Sequence, residues 1–182
     1  MGCLNNNKFR VIKGDITQVE ADAIVNGANT FLLGGGGVGS AIHRAADQKL
    51  KDKYRELNDC KIGEAKIAKG YNLKAKKAKY IIHTVGPVWR YRAPYEDDLL
   101  RNCYRSCFQL AKKNDIKTIA FPCISTGVYR FPNERAAKIA INTSKEMMRK
   151  VDVREVIFVC NKYFDYHIYQ RKLSLNFLNT SV

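Results

Sequence analysis

The stretch NGANTFLLGGGGVGSAIHRAA, residues 26–46, holds Gly34, Gly36 and Gly39 in the spacing G-x-G-x-x-G. That spacing grips a dinucleotide when its first glycine directly follows a strand and an acidic residue ends a second strand about twenty positions on. Here eight residues separate Val25 from Gly34. The candidate acid, Asp59, closes the polar, helix-patterned run KLKDKYRELND, so the dinucleotide reading fails. A triphosphate loop fails too, because it needs a Lys before the hydroxyl residue and Ser40 follows Gly39. What the run does offer is the bare backbone N–H groups of Gly34 to Gly37 beside the positive end of a helix starting near Val38. That arrangement suits a phosphate or diphosphate.

A second loop, PCISTGVYRFP at 122–132, follows an apolar run and supplies the amides of Ser125, Thr126 and Gly127 ahead of another helix. Two such loops suit gripping one diphosphate from both sides. Upstream, the run Gly14, Asp15, Ile16, Thr17 places a carboxylate where it accepts from an exocyclic amine such as that of adenine. The same Asp equally fits a turn or a helix cap. His43 and His83 have no acidic neighbour in sequence to orient them for nucleophilic chemistry, and both read as hydrogen-bonded structural histidines.

These loops need a frame. The apolar runs FRVI (9–12), AIV (23–25), AKIAK (65–69), YIIHTVG (80–86), TIAFPCI (118–124) and VIFVC (156–160) are short and rich in β-branched residues, the pattern of buried strands. Helical spacing fills 38–57, 96–113, 133–150 and a last segment near 163–178. Alternation of this kind predicts a largely parallel sheet with helices on both faces and ligand loops beyond the carboxyl ends of the strands. Pro132 suits the first turn of the helix that follows it.

With 182 residues, 46% hydrophobic and 27% charged, the chain fits one globular domain. It shows no cleavable leader and no apolar run of membrane-spanning length, which predicts a soluble intracellular protein, cytoplasmic or nuclear, with no membrane partner. The opening Met1, Gly2, Cys3 does not continue into an acylation signal, since the sixth residue is Asn6. The six cysteines, Cys3, Cys60, Cys103, Cys107, Cys123 and Cys160, show no C-x-x-C spacing and read as reduced thiols, several of them buried. Cys103 and Cys107 lack the further ligands a zinc site requires. A net charge of +15 favours anionic ligands, RNA or poly(ADP-ribose), although patches such as LKAKKAK (73–79) equally suit a solvated surface.

Taken together, GDIT (14–17), NGAN (26–29), LLGGGGVGSAIHRAA (32–46), GEAKIAKGYNL (63–73), YIIHTVGPVW (80–89) and PCISTGVYRFP resemble the macrodomain family, and the match is closest to its MacroD-like branch. The resemblance implies a single macrodomain over 1–182, with 1–7 as a flexible tail. Its fold would be a three-layer α/β/α sandwich with a mixed, mostly parallel sheet. It further implies a cleft for ADP-ribose, with neither cofactor nor metal, in a monomer that acts on ADP-ribosylated proteins.

By that similarity Asp15, with the Ile16 backbone, takes adenine, and Asn161 and Phe164 line the adenine pocket. Gly35, Gly36, Gly37, Val38 and Ser40 join Ser125, Thr126, Gly127, Val128 and Tyr129 around the diphosphate and distal ribose, whose hydroxyls Asn29 meets. MacroD-like enzymes cleave mono-ADP-ribosyl esters on acidic side chains, and many deacetylate O-acetyl-ADP-ribose. Here Gly39 stands where that branch typically has an Asp proposed to activate water. Three readings follow. One is a hydrolase using Asn29, the loop at Gly39 and Tyr129 with substrate-assisted water activation. A second is a non-catalytic reader of ADP-ribose or poly(ADP-ribose). A third is a nucleic-acid or poly(ADP-ribose) binder drawing on the +15 charge.

Overall fold

A computed structural model describes residues 8–30, 42, 59–69 and 78–178, with side chains through Ser174. Strand β1 spans Lys8–Lys13, and a short 3-10 turn follows at Ile16–Gln18. Then come β2 (Ala23–Ala28), β3 (Ala65–Lys69), β4 (Tyr80–Val85), α1 (Tyr95–Lys113), β5 (Thr118–Pro122), α2 (Asn133–Met148), β6 (Glu155–Cys160) and α3 (Tyr163–Leu178). The helix expected over 38–57 lies outside the described residues except for Ile42, which is helical and fully buried.

The strands form one sheet in the order β1-β6-β5-β2-β4-β3. All neighbours pair parallel except β3, which runs antiparallel to β4. The expected mixed, mostly parallel sheet is therefore present. Period-2 alternation assigns each strand's side chains to two cores. On one face Ala23, Val25, Ile82, Phe121 and Phe158 pack under the helices. Phe121 meets Tyr104 of α1 at 5.0 Å between ring centroids, and Phe158 meets Tyr169 of α3 at 4.8 Å. On the other face Ile24, Ile81, Ala120 and Ile157 pack with Ile16, Val19 and Ile42.

Helix α1 forms because Leu100, Cys103, Tyr104, Cys107, Phe108 and Ala111 recur on one face and are all buried. Glu96, Asp97 and Asp98 in its first turn and Lys112 and Lys113 in its last complement the helix dipole. Pro132 sits one step earlier than expected, capping α2 rather than opening it.

Two expectations need correction. The FRVI and AKIAK runs are both expected to be buried strands, yet β1 alternates between exposed and half-buried residues and β3 is half-buried except for the buried Ala68 and the exposed Lys69. β1 pairs only with β6 and β3 only with β4, so they form the two edges of the sheet. Their apolar side chains cover one neighbour instead of two.

Asp22 fixes the relative register of β2 and β5. Its Oδ2 accepts from the N–H groups of Lys117 and Thr118, each at 2.9 Å. Because five strands are parallel, the carboxyl ends of β1, β6, β5, β2 and β4 all reach one rim of the sheet. Between β5 and β2 the chain leaves in opposite directions, toward β6 on one side and β4 on the other. Such a switch point opens a crevice for a ligand.

Candidate functional site

Along that rim the loops come in the spatial order β1, β6, β5, β2, β4. The first carries Asp15, whose Oδ1 accepts from the Thr17 N–H at 2.9 Å and so caps the 3-10 turn. The cap and ligand roles are compatible, since the carboxylate is exposed and its Oδ2 has no partner among the described residues. The Ile16 side chain is buried in the core at 3% exposure, so only its backbone is available at the rim.

Beside Asp15, the Gly14 N–H donates to the Cys160 carbonyl at 3.0 Å and ties the ends of β1 and β6 together. This brings Asn161, which follows Cys160, next to the Asp15 loop, with Phe164 three residues further on in the first turn of α3. Asn161 is exposed, and Phe164 is 64% exposed. Burial of Phe164 in the core is thereby excluded, which leaves an aromatic face open at the rim. Lys13 Nζ lies 4.3 Å from the Tyr163 ring centroid and braces the same corner.

The β5 loop is tightly built. Ser125 adopts a left-handed backbone with φ 66°. Its carbonyl accepts from the Phe131 N–H at 3.0 Å, and the Gly127 carbonyl accepts from Arg130 at 2.9 Å. Thr126 turns inward, donating its hydroxyl to the Cys123 carbonyl at 3.0 Å. The N–H groups of Gly127, Val128 and Tyr129 find no acceptor among the described residues. Three such consecutive donors suit an anion. The Val128 side chain is 85% exposed, so the loop offers its backbone there.

Two buried polar atoms at the switch point are orphaned. Asn29 Oδ1, just past β2, and Ser125 Oγ are buried without a hydrogen-bond partner among the described residues. Buried polar atoms are normally satisfied, and of the unpartnered atoms among the described residues these two lie just past the carboxyl ends of β2 and β5, where a ligand in the crevice would reach them. Beneath them Asn26 Nδ2 and His83 Nδ1 pair at 3.1 Å in the buried sheet. His83 is thus the structural histidine expected.

The family model described as Macro domain matches residues 25–140, which include the β2 and β5 loops. The chain belongs to the macrodomain family. A Macro domain-containing protein of Methanosarcina mazei is 53% identical over 156 residues, covering 86% of this chain and 82% of its own. The ADP-ribose glycohydrolase MACROD2 of Xenopus laevis is 52% identical over 170 residues, 92% of this chain, which spans 40% of that longer protein. The solved Trypanosoma brucei macrodomain in complex with ADP-ribose superposes with a TM-score of 0.82 at 39% identity, covering 91% of this chain and 68% of its own. The MacroD-like branch and the α/β sandwich are those of the family.

Within this macrodomain the described rim brings together Asp15, Asn161, Phe164, the Ser125 to Tyr129 loop and Asn29. Gly35, Gly36, Gly37, Val38, Gly39 and Ser40 lie outside the described residues. A cavity of about 630 Å³ opens from Asp15 along Gln18, Glu20 and Asp22 toward Thr118 and Glu155. It does not reach Ser125 or Asn29, so the crevice is defined by the loops and not by that cavity.

Two positions carry more of the site than sequence reading assigned them. Gly86, just past β4, leaves no room for a side chain. A Cβ there would stand 2.1 Å from Ser125 Oγ and 2.8 Å from Ile124 Cγ2. Trp89 donates its backbone N–H to the Tyr129 carbonyl at 2.8 Å and packs its ring at 59° to Phe131, centroids 4.8 Å apart. The G-P-x-W string after a strand was the available signal. What it lacked was any indication that the β4 and β5 loops touch.

The five described cysteines are free thiols, all buried except the half-buried Cys123. Burial pushes the Cys103 thiol up to about 11, and the same desolvation raises Cys107. Cys123 and Cys160 lie 3.6 Å apart, sulfur to sulfur, under the β5 loop, and the Cys160 hydrogen bond with burial raises the Cys123 thiol. Cys103, Cys107 and Cys123 are therefore not ready thiolate nucleophiles.

Proposed function

We propose that this macrodomain binds ADP-ribose along the rim from Asp15 to Asn29 and hydrolyses the ester joining mono-ADP-ribose to an acidic side chain. O-acetyl-ADP-ribose is a second substrate of the same type. The observation that carries the reading is the pair of buried atoms, Asn29 Oδ1 and Ser125 Oγ, at a switch point beside three loop amides, all without a partner among the described residues. From β1 to β2 the rim crosses three strand spacings, about 14 Å. That span separates a base bound at Asp15 and Phe164 from a ribose bound at Asn29, with a diphosphate over the amides between them.

In this role Asp15 Oδ2 accepts from the adenine amine and Phe164 covers the ring. The Gly127 to Tyr129 amides, with the glycine run ending at Val38, neutralise the diphosphate. Asn29 Oδ1 accepts from a distal ribose hydroxyl and fixes the ester for attack by water. Ser40 has too high a pKa to act as a base unaided, and Gly39 brings none, so water activation falls to the substrate's own phosphate. Loss of a general base lowers rates by about 10²–10⁴-fold, while positioning survives.

Gly39 favours a second reading, a module that binds ADP-ribose without turnover. The two separate when the protein is incubated with a target mono-ADP-ribosylated through a carboxylate ester and release is followed beside titration with free ADP-ribose. Release with tight binding supports the hydrolase, and tight binding without release supports the reader. Gly39→Asp supplies the missing acid; a large gain in turnover shows that the native loop lacks an available base, and no gain points to the substrate-assisted route or to an inactive scaffold. Affinity for RNA or poly(ADP-ribose) that falls steeply with salt would mark a role for the +15 charge.

A further inference from the structure

Beyond the far end of the rim, past Asn29, stands the β4 loop, and its charge is not balanced. Arg90, Tyr91 and Arg92 are exposed, Tyr91 at 87%. Their backbone is nonetheless fixed. The N–H groups of Arg90 and Arg92 donate to Glu96 Oε1 and Oε2 at 2.8 and 3.1 Å, and Glu96 is only 3% exposed. A buried carboxylate thus holds the loop by its main chain and leaves the side chains facing solvent. Tyr91 adopts φ 62° and Arg130 adopts φ 55°, so both sit in rigid turns.

The neighbouring acids are already engaged. Asp97 takes Arg135 in a two-pronged pair at 2.6 and 2.7 Å, and Asp98 takes Arg101. Arg90, Arg92 and Arg130 have no carboxylate partner among the described residues. Arg130 follows Tyr129, whose carbonyl accepts from the Trp89 N–H, so it belongs to the β5 loop that the β4 loop touches. Arg90, Tyr91 and Arg92 form an exposed shelf with a fixed backbone after β4, the strand beside β2 and so beside the ribose end of the crevice.

We propose that this shelf docks the acidic segment of the protein that carries the ADP-ribose. The inference rests on the function proposed above, because an ester at the distal ribose places the modified chain at this end of the rim. An acidic segment complements the unbalanced arginines, and Tyr91 offers an apolar face to its backbone.

The test uses the charge reversal R90E/R92E in the full chain, with two peptides ADP-ribosylated through one Glu ester, flanked by Glu and Asp in one and by Lys in the other. kcat/KM for release, or Kd if there is no turnover, is measured beside the Kd for free ADP-ribose. The reversal is expected to cost the acidic peptide about tenfold, to spare the Lys peptide, and to leave free ADP-ribose binding unchanged, which also shows the variant is folded. Added salt should shrink the difference.

An acidic peptide unaffected by the reversal overturns the docking. So does an equal loss for free ADP-ribose, which would assign the arginines to the crevice itself. A loss confined to an RNA oligonucleotide would make the shelf a nucleic-acid surface and overturn it as well. If the unaltered protein binds no free ADP-ribose, the function reading fails first, a result distinct from the others.

Discussion

Replacing Gly86 with alanine tests whether the β4 loop positions the anion-binding loop. The added Cβ meets Ser125 Oγ at 2.1 Å, Ile124 Cγ2 at 2.8 Å and Ser125 Cβ at 3.4 Å. Rotation of the serine hydroxyl relieves the first contact. The second persists, because Ile124 is β-branched, stiff and 2% exposed. Reaching an ordinary carbon separation of about 3.5 Å requires a displacement of about 0.7 Å. That displacement falls on the backbone leading directly into Ser125 to Tyr129. Overpacking of this kind costs about 1–3 kcal/mol, and a chain of this size loses about 2–4 °C in Tm per kcal/mol.

A site tolerates only about 0.5 Å of misplacement before its function suffers, so G86A should weaken ADP-ribose binding by about tenfold or more. Thermal unfolding and calorimetric titration read the two effects separately. Adding Ser125→Ala to G86A removes the 2.1 Å contact and should recover part of the lost Tm. The shortfall from additivity measures the coupling between the two loops. A G86A protein with the parent's Tm and the parent's affinity would refute the reasoning.

Asn29→Ala should leave the stability of the free protein within about 1 kcal/mol, because it deletes an Oδ1 with no partner among the described residues, while affinity for ADP-ribose falls about tenfold. A large loss of Tm instead would make Asn29 structural. Phe164→Ala, at an exposed position, should shift stability by less than about 0.5 kcal/mol but cost binding about 1–3 kcal/mol if the ring stacks on adenine. Unchanged affinity would place the base elsewhere. Stability should also fall at alkaline pH. Cys103, raised from 9.0 to about 11 in the fold, keeps its proton while the unfolded chain loses it. Its contribution is complete below pH 9 and is lost as pH rises through about 11, amounting to about 2–3 kcal/mol. Tm measured from pH 8 to pH 11 checks this, and a flat profile would contradict it.

The frame was legible because each strand is a short β-branched run and each described helix carries one apolar face, signals that survive in a single sequence. β1 was misjudged because apolar content does not reveal whether a strand has one neighbour or two. The rim was legible by residue but not by neighbourhood. Asp15 was open between cap and ligand, and the structure shows one oxygen doing the first while the other stays available for the second.

Gly86 and Trp89 have no legible role in the sequence, because their importance lies in contacts with Ser125 and Tyr129 some forty residues away, which no local pattern encodes. The same limit applies to Arg90 and Arg92. In sequence they are two cations among 32 basic residues. They stand out only once Glu96 fixes their backbone and Arg135 and Arg101 are seen to occupy the nearby acids. Net charge therefore said less than its balance does. The excess that matters for a protein substrate is the part left unpaired where the crevice ends.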